Sequence, residues 1–426
     1  MVFKWFARVQ LTRAGVLAVV LTAAAPIATA QSSTADPALA SALREAWRQH
    51  PAAEATEATL AAARARADAS SQPIYNPEVE LAYGDEGDRT TTAGMSLTLD
   101  IYGKRNARTA AGAAELSLAE ARAHLRRSEF SKRWLLAWAE YWTTSRRVVQ
   151  GQQRLDLMQR FADLAEKQLG VGDISPLERD LSLLARDEAQ AEQAALEAAA
   201  AMALESFQVV GGAPGVAMST PSAEPPSPLV RAEGWSLATL PEAVVASAET
   251  RSAEERISVA ERERRPDPTI GVRVGRIDFG PISDNVFGLT VSVPIQVRNR
   301  FRAEVVATRA DADTAAAERR LTLVELRARA DRALSTYATM HATWTRWSQS
   351  GGTDVTARAR LLERLWRAGE LSTADYLIQL KQTSDTALAG TELQGRLWTS
   401  CVEALAAIGA LDAWVGFDPI VSEVTP

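Results

Sequence analysis

Two short stretches of this 426-residue chain place a carboxylate at the start of a helix, just behind a glycine turn. The first, GDISPLERDLSLL, spans Gly172–Leu184, and the second, GELSTADYLIQL, spans Gly369–Leu380. In each an acid stands six residues past the glycine: Glu178 in one, Asp375 in the other. If symmetry copies of such turns ringed an opening, their carboxylates would concentrate cations there. The plainer reading is that both are first-turn acids favoured by the helix dipole.

Little else in the chain points to chemistry. His50, His124 and His341 are the three histidines, and none sits in a Cys, His or acid pattern at metal-ligand spacing. No nucleophile–base set, phosphate loop or zinc motif is present, so no enzyme activity and no cofactor are expected. No basic cluster suggests nucleic acid. Trp134, Trp138 and Trp142 stand four apart, and Trp344 and Trp347 three apart. They read as a helix packing face before a binding stripe.

The elements that carry the two turns are written twice. Ala42–Trp47 matches Thr239–Val244, Pro77 matches Pro268, Leu99–Arg108 matches Val293–Arg302, Gly172 matches Gly369, and Leu204–Gly211 matches Val402–Gly409. The order is kept and the offset stays between 191 and 198 residues. A period this long is a duplicated large unit, not a solenoid repeat. The first copy is expected over 31–210 and the second over 236–412. Between them 211–235 forms a Pro- and Ser-rich linker, and 413–426 is a tail.

Each copy reads helix, two strands, very long helix, tight turn, helix. Strands are expected at about 77–84 and 93–101, then 268–277 and 286–295, from strict apolar–polar alternation. Val79, Leu81 and Tyr83 share one face, as do Met95, Leu97 and Leu99, Ile270, Val272 and Val274, and Phe287, Leu289 and Val291. Polar loops are expected at Asp85–Thr92 and Asp278–Asn285. Long helices are expected at about 104–169 and 298–367, each about 100 Å at 1.5 Å per residue. A break is expected at Gly351-Gly352, because two mid-helix glycines cost about 2 kcal/mol against alanine. Leu155, Met158, Ala162, Ala165 and Leu169 form a coiled-coil seam. Leu177, Leu181 and Leu184 continue it past the turn, and Leu361, Leu365, Ala368, Leu377 and Leu380 repeat it in the second copy. Return helices are expected at about 176–210 and 373–409. Glycine stops one helix and serine caps the next at each tip.

Residues 1–30 read as a secretory signal peptide. Lys4, Arg8 and Arg13 precede the apolar run Ala14–Ala25, and Ala28-Thr29-Ala30 is a small-residue cleavage site. Removing those three positive residues takes the formal net charge from −6 to −9. Cys401 is the only cysteine, so no intrachain disulfide is expected, and no cysteine follows the cleavage site to take a lipid anchor.

Four strands cannot close a barrel, and open sheet edges are hazardous in water and forbidden in lipid. Closure must come from other chains. Three copies make twelve strands, an even number within the barrel range. Apolar faces would meet outer-membrane lipid, and Glu80, Ser96, Thr98, Asp100, Arg273 and Thr290 would face a wet lumen. Arg105 and Arg108, and Arg298, Arg300 and Arg302, follow the second strand of each pair. They read as interfacial anchors or as solvated helix-start charges.

The duplicated pattern resembles the TolC-type outer-membrane factors over about residues 36–412. The stretch IYGKRNAR (Ile101–Arg108) resembles their heavy-metal-efflux, CzcC-like branch. The resemblance implies a mainly α chain with a small β part: a trimeric 12-stranded outer-membrane barrel continued by a long periplasmic helical barrel. It implies a homotrimer that meets a periplasmic adaptor through hairpin tips Val171, Gly172 and Asp173, and Ala368, Gly369 and Glu370. It also implies an inner-membrane pump of the resistance–nodulation–division type, and a periplasmic entrance lined by Asp375 and Glu178. Ala368 replaces the valine of the first tip, and Ile378 stands where some relatives carry a second acid. Heavy-metal cations are the expected cargo. A conduit for drugs or type I secreted peptides, and a periplasmic coiled-coil scaffold without a pore, are the alternatives.

Overall fold

A computed structural model describes residues 35–85, 89–215, 229, 231, 235–349 and 355–417. The expected signal peptide, most of the linker, the Gly351-Gly352 break and the end of the tail lie outside the described residues.

The chain begins with two helices, α1 (Pro37–Gln49) and α2 (Pro51–Ser71). Sequence periodicity suggested one. Pro51 separates them, because a proline pushes the preceding residue out of the helical region. His50 is extended, with φ −80° and ψ 137°. Its Nδ1 accepts from Ala52 N–H at 3.1 Å, and its Nε2 donates to Val209 O at 3.1 Å. His50 is thus a helix cap.

Strands β1 (Glu78–Asp85) and β2 (Arg89–Thr98) follow, then α3 (Lys104–Val171) and α4 (Pro176–Val209). The second copy supplies α5 (Pro241–Glu263), β3 (Thr269–Phe279), β4 (Ile282–Ser292), α6 (Arg302–Gln349), α7 (Val355–Arg367) and α8 (Thr373–Ala407). A last turn of helix, α9, spans Leu411–Trp414. The 68 residues of α3 make about 100 Å of unbroken helix. Gly112 and Gly151 lie inside it, where a Cβ would come within 2.0 Å of Ser70 Oγ and 2.3 Å of Gln193 Oε1. A side chain at either would have to push these neighbours aside.

The strands run longer than expected at their outer ends. β2 starts at Arg89 and β4 at Ile282, so the expected polar loops are largely strand, and Gly280 and Pro281 make a tight turn between β3 and β4. The inner ends are shorter: β2 stops at Thr98 and β4 at Ser292.

The helices meet in two main cores, with two small clusters around Leu118 and Leu240. The larger gathers the middle of α3, the start of α1, the end of α4, and parts of α6, α8 and α9. Phe130, Trp134, Trp138, Phe207, Tyr337, Leu397 and Cys401 are all fully buried there. Trp138 meets Trp398 edge to face at 5.7 Å, and Trp134 meets Phe207 at 5.2 Å. The tryptophan stripe is packing. The smaller core joins the far ends of both hairpins.

Part of the expected seam moves. Met158, Ala162 and Ala165 are buried, but Leu177, Leu184 and Leu361 are exposed. The buried positions are Ser182 and Ala189 on α4, and Leu362 and Trp366 on α7. The seam on α7 is one residue later than apolar spacing indicated, because the large indole of Trp366 takes the inner position. Trp134→Ala should lower the free energy of unfolding by about 3–5 kcal/mol, the usual cost of removing a buried aromatic. Chemical denaturation of the detergent-solubilised protein checks this.

Candidate functional site: an open sheet and two hairpin tips

The sheet runs β1-β2-β3-β4, antiparallel throughout. Its inner rows stack like with like across all four strands. Val79 pairs with Met95, Met95 with Val272, and Val272 with Leu289. A second row runs Leu81, Ala93, Val274, Phe287. Paired residues share a face, so these rows form an apolar band from edge to edge, and the next row outward, Tyr83, Thr91, Arg276 and Asn285, is mostly polar. Leu81 is 79% exposed and Phe287 73%. Among the described residues no helix packs on either face of the sheet.

The opposite face holds most of the expected lumen residues. Glu80 pairs with Gly94, Gly94 with Arg273, and Arg273 with Gly288; Ser96 pairs with Gly271, and Gly271 with Thr290. Arg273 crosses β2 to reach Glu80 at 3.3 Å. It passes Gly94, where a Cβ would lie 3.8 Å from its own Cβ. Thr98 and Thr269 share a hydroxyl hydrogen bond at 2.8 Å.

Asp100 does not belong to this face. It lies past the end of β2 and caps α3, its carboxylate accepting from the N–H groups of Lys104 (2.7 Å) and Arg105 (2.8 Å). Burial raises its pKa, but those amides and that of Gly103 outweigh burial and hold it below the usual carboxylate range. The alternation that suggested a lumen position stops two residues earlier.

That cap belongs to a joint between sheet and helices. Gly103 takes the left-handed conformation at φ +68°, and a Cβ there would lie 2.6 Å from the Arg262 guanidinium. Arg262 donates to Gly103 O at 3.0 Å and Tyr102 O at 3.2 Å. Lys104 Nζ reaches the buried Asp267 carboxylate at 2.9 Å, and Tyr75 OH donates to the same oxygen at 2.9 Å. Arg105 Nε donates to Ser71 O at 2.7 Å. The Gly-Lys-Arg of the first copy therefore ties β2 and α3 to the approach to β3. Sequence reading missed Asp267 and Tyr75. Their one signal was the Asp-Pro pair at 267–268, matched by Asn76-Pro77 in the first copy. In the second copy the residue before the long helix is Phe301, left-handed at φ +51°.

The two tips share one backbone design. At the first, Asp173 N–H donates to Gln168 O and Gly172 N–H to Leu169 O; at the second, Glu370 donates to Leu365 O and Gly369 to Trp366 O. Both are Schellman stops, with glycine left-handed at φ +84° and +74°. Three residues on, Ser175 and Ser372 cap the return helices. Val171 is exposed, as are Asp173, Ala368 and Glu370.

The acids turn back to those caps. Glu178 Oε2 accepts from Ser175 N–H (2.8 Å) and from its hydroxyl (2.9 Å). These bonds hold the Glu178 carboxyl below its ordinary range, helped by the Thr373 hydroxyl of the other hairpin. Asp375 is exposed, and its Oδ2 accepts from Ser372 Oγ at 2.7 Å. Behind the tips Phe161, Trp366 and Tyr376 cluster at 4.7–5.3 Å between ring centres, holding the hairpins side by side. Buried Arg154 on α3 binds Glu192 on α4 and Asp385 on α8, tying a third point. None of these contacts was read from spacing.

His124 pairs with Asp412 at 3.1 Å. Among the described residues no group of His, Cys, Asp and Glu could hold a metal ion, and no helix is long and apolar enough to cross a membrane.

Comparison with solved structures places this architecture. VceC, an outer-membrane protein of Vibrio cholerae, superposes with TM-score 0.68 at 18% identity over 89% of this chain and 97% of its own. The CmeC outer-membrane channel of Campylobacter jejuni gives 0.71 at 12% identity, covering 95% and 94%. This chain has the TolC-type outer-membrane-factor fold. No protein-family model matches the sequence. The curated nickel-cobalt-cadmium resistance protein NccC of Alcaligenes xylosoxydans xylosoxydans is 26% identical over 253 residues, 58% of this chain. The match covers 56% of NccC, little more than half its length.

Two predictions follow from the joint and the tip. Asp267→Asn leaves Lys104 buried without a counter-charge and should cost about 3–5 kcal/mol of unfolding free energy, read by denaturation. Glu178 has a lowered folded pKa, so its contribution is present above the ordinary carboxylate range and is lost as pH falls through the folded value. The protection of the amides at Ser175–Arg179, measured against their intrinsic exchange rates at each pH, should therefore fall on acidification, and Glu178→Gln should remove that loss.

Proposed function

We propose that this chain is the outer-membrane channel of a tripartite efflux system, a homotrimer that passively conducts substrate from a periplasmic adaptor and an inner-membrane pump to the exterior. One observation carries this reading: a sheet with an apolar band running from edge to edge, with no helix against either side among the described residues, and open at both edges. Lipid suits the apolar band, and further copies suit the edges. The outer-membrane channels of the same fold support it.

Heavy-metal cations are the proposed cargo. NccC's name, the Gly-Lys-Arg after β2, and the acids Asp375 and Glu178 near the tips favour cations. Val171, Gly172 and Asp173, with Ala368, Gly369 and Glu370, are the proposed adaptor contacts, and Asp375 and Glu178 the proposed entrance. The resting tips hold the gate, and adaptor docking dilates it.

Membrane fractionation with crosslinking should find an outer-membrane trimer, and planar-bilayer recording should show stepwise conductance. A freely soluble monomer without conductance would defeat the proposal in favour of a scaffold. Deleting the gene should raise sensitivity to zinc, cobalt, cadmium or copper; sensitivity confined to organic drugs would reassign the cargo. Asp375→Asn should lower the pore's cation-to-anion permeability ratio, and an unchanged ratio removes Asp375 from the entrance.

A further inference from the structure

The two free edges of the sheet fit each other in one register, an inference that rests on the channel reading above. Within the chain, β2 joins β3 across the two copies, with Ser96 opposite Gly271 and Met95 opposite Val272. The hairpins β1–β2 and β3–β4 are themselves copies, and Pro77 and Pro268 stand immediately before their first strands. Matching those prolines puts Glu78 on Thr269. Glu78 pairs with Ser96 and Thr269 with Ser292, so in the fold Ser96 falls on Ser292 and Met95 on Val291, two residues on from the sequence match of Leu99 with Val293. The join between β2 and β3 then serves as the template for the seam between subunits.

We propose that β4 of one copy pairs with β1 of the next, Ser292 opposite Glu80, Val291 opposite Leu81 and Leu289 opposite Tyr83. Apolar residues meet apolar ones on the lipid side. On the polar side the Glu80 carboxylate, held at 3.3 Å by Arg273 of its own chain, gains the Ser292 hydroxyl of its neighbour as a second donor. The polar site at Glu80 is incomplete without the partner copy.

Two independent features agree with this register. The first is geometric. A row that leaves Val79 crosses Met95, Val272 and Leu289 and arrives at Tyr83 of the next copy, four residues higher. Four residues at ~3.3 Å against four strand spacings at ~4.8 Å tilt the strands by about 35°, a usual tilt for a closed barrel. Zero shift would leave the strands upright. A shift by an odd number of residues would turn apolar side chains to the wrong face.

The second is a proline. Leu99 N–H donates to Pro268 O at 2.9 Å, the last bond of the template join. Its counterpart in the seam runs from Ile295 N–H to Pro77 O of the next copy. Pro294 precedes Ile295, and successive N–H groups point to opposite sides of a strand. The donor that Pro294 lacks therefore faces β3, past the last β3 partner Thr269, and the seam loses no bond.

Cysteine pairs in the detergent-solubilised full-length protein test the register, with the buried Cys401 left in place. The pairs Ser292→Cys with Glu80→Cys, and Val291→Cys with Leu81→Cys on the other face, should give reducible covalent oligomers on mild oxidation. Their yield should exceed that of Ser292→Cys with Glu78→Cys or Ala82→Cys by roughly ten-fold, because a disulfide needs Cα atoms within ~7 Å. An oligomer by native mass that joins best through a shifted pair overturns the register and leaves the channel reading standing. A monomer by native mass overturns both.

Discussion

Everything in this molecule answers to the unpaired backbone groups on β1 and β4. An edge strand carries a row of N–H and C=O groups, and in lipid each one without a partner costs several kcal/mol. Four strands cannot curl enough to satisfy their own edges. The apolar band adds a second demand, since among the described residues no helix covers it. A single chain can meet neither requirement alone, and the proposed assembly would meet both.

The helices carry a different burden. The 68-residue α3 binds nearly every other helix, and its buried side chains alternate between aromatic hub and small residues. Alanine and glycine let neighbours approach closely along most of its length, while Phe130, Trp134 and Trp138 concentrate hydrophobic burial where α1, α6 and α8 arrive. Dispersion and burial thus fix one waist, and local pairs such as Arg154 with Glu192 and Asp385 fix positions further out. The joint at Lys104 and Asp267 connects this helical body to the sheet.

Much of this was legible in the residues. Duplication, two hairpin tips, four alternating strands and their polar faces all follow from spacing, because period-two and period-3.6 patterns report burial directly. Element ends were less legible. Asp100 continues the strand's alternation yet turns away to cap α3, since a carboxylate near four free N–H groups gains more there than in the sheet. Leu361 fits the heptad and is exposed, because neighbouring Trp366 sets the inner row. Contacts between the copies, such as Tyr75 and Lys104 with Asp267, join residues far apart in sequence and leave no periodic trace. The tip acids were legible as helix-start acids, and their bonds to Ser175 and Ser372 are what such acids make.

The joint also has a mechanical meaning. Inside one polypeptide the two halves are welded by a buried ion pair, a phenol and an arginine that straps the turn. Where the same position recurs, asparagine replaces the aspartate and a phenylalanine is forced into a conformation that suits glycine. A ring of such chains would alternate stiff hinges with compliant ones. In the proposed tube, torsion would then meet a weaker hold between polypeptides than within one.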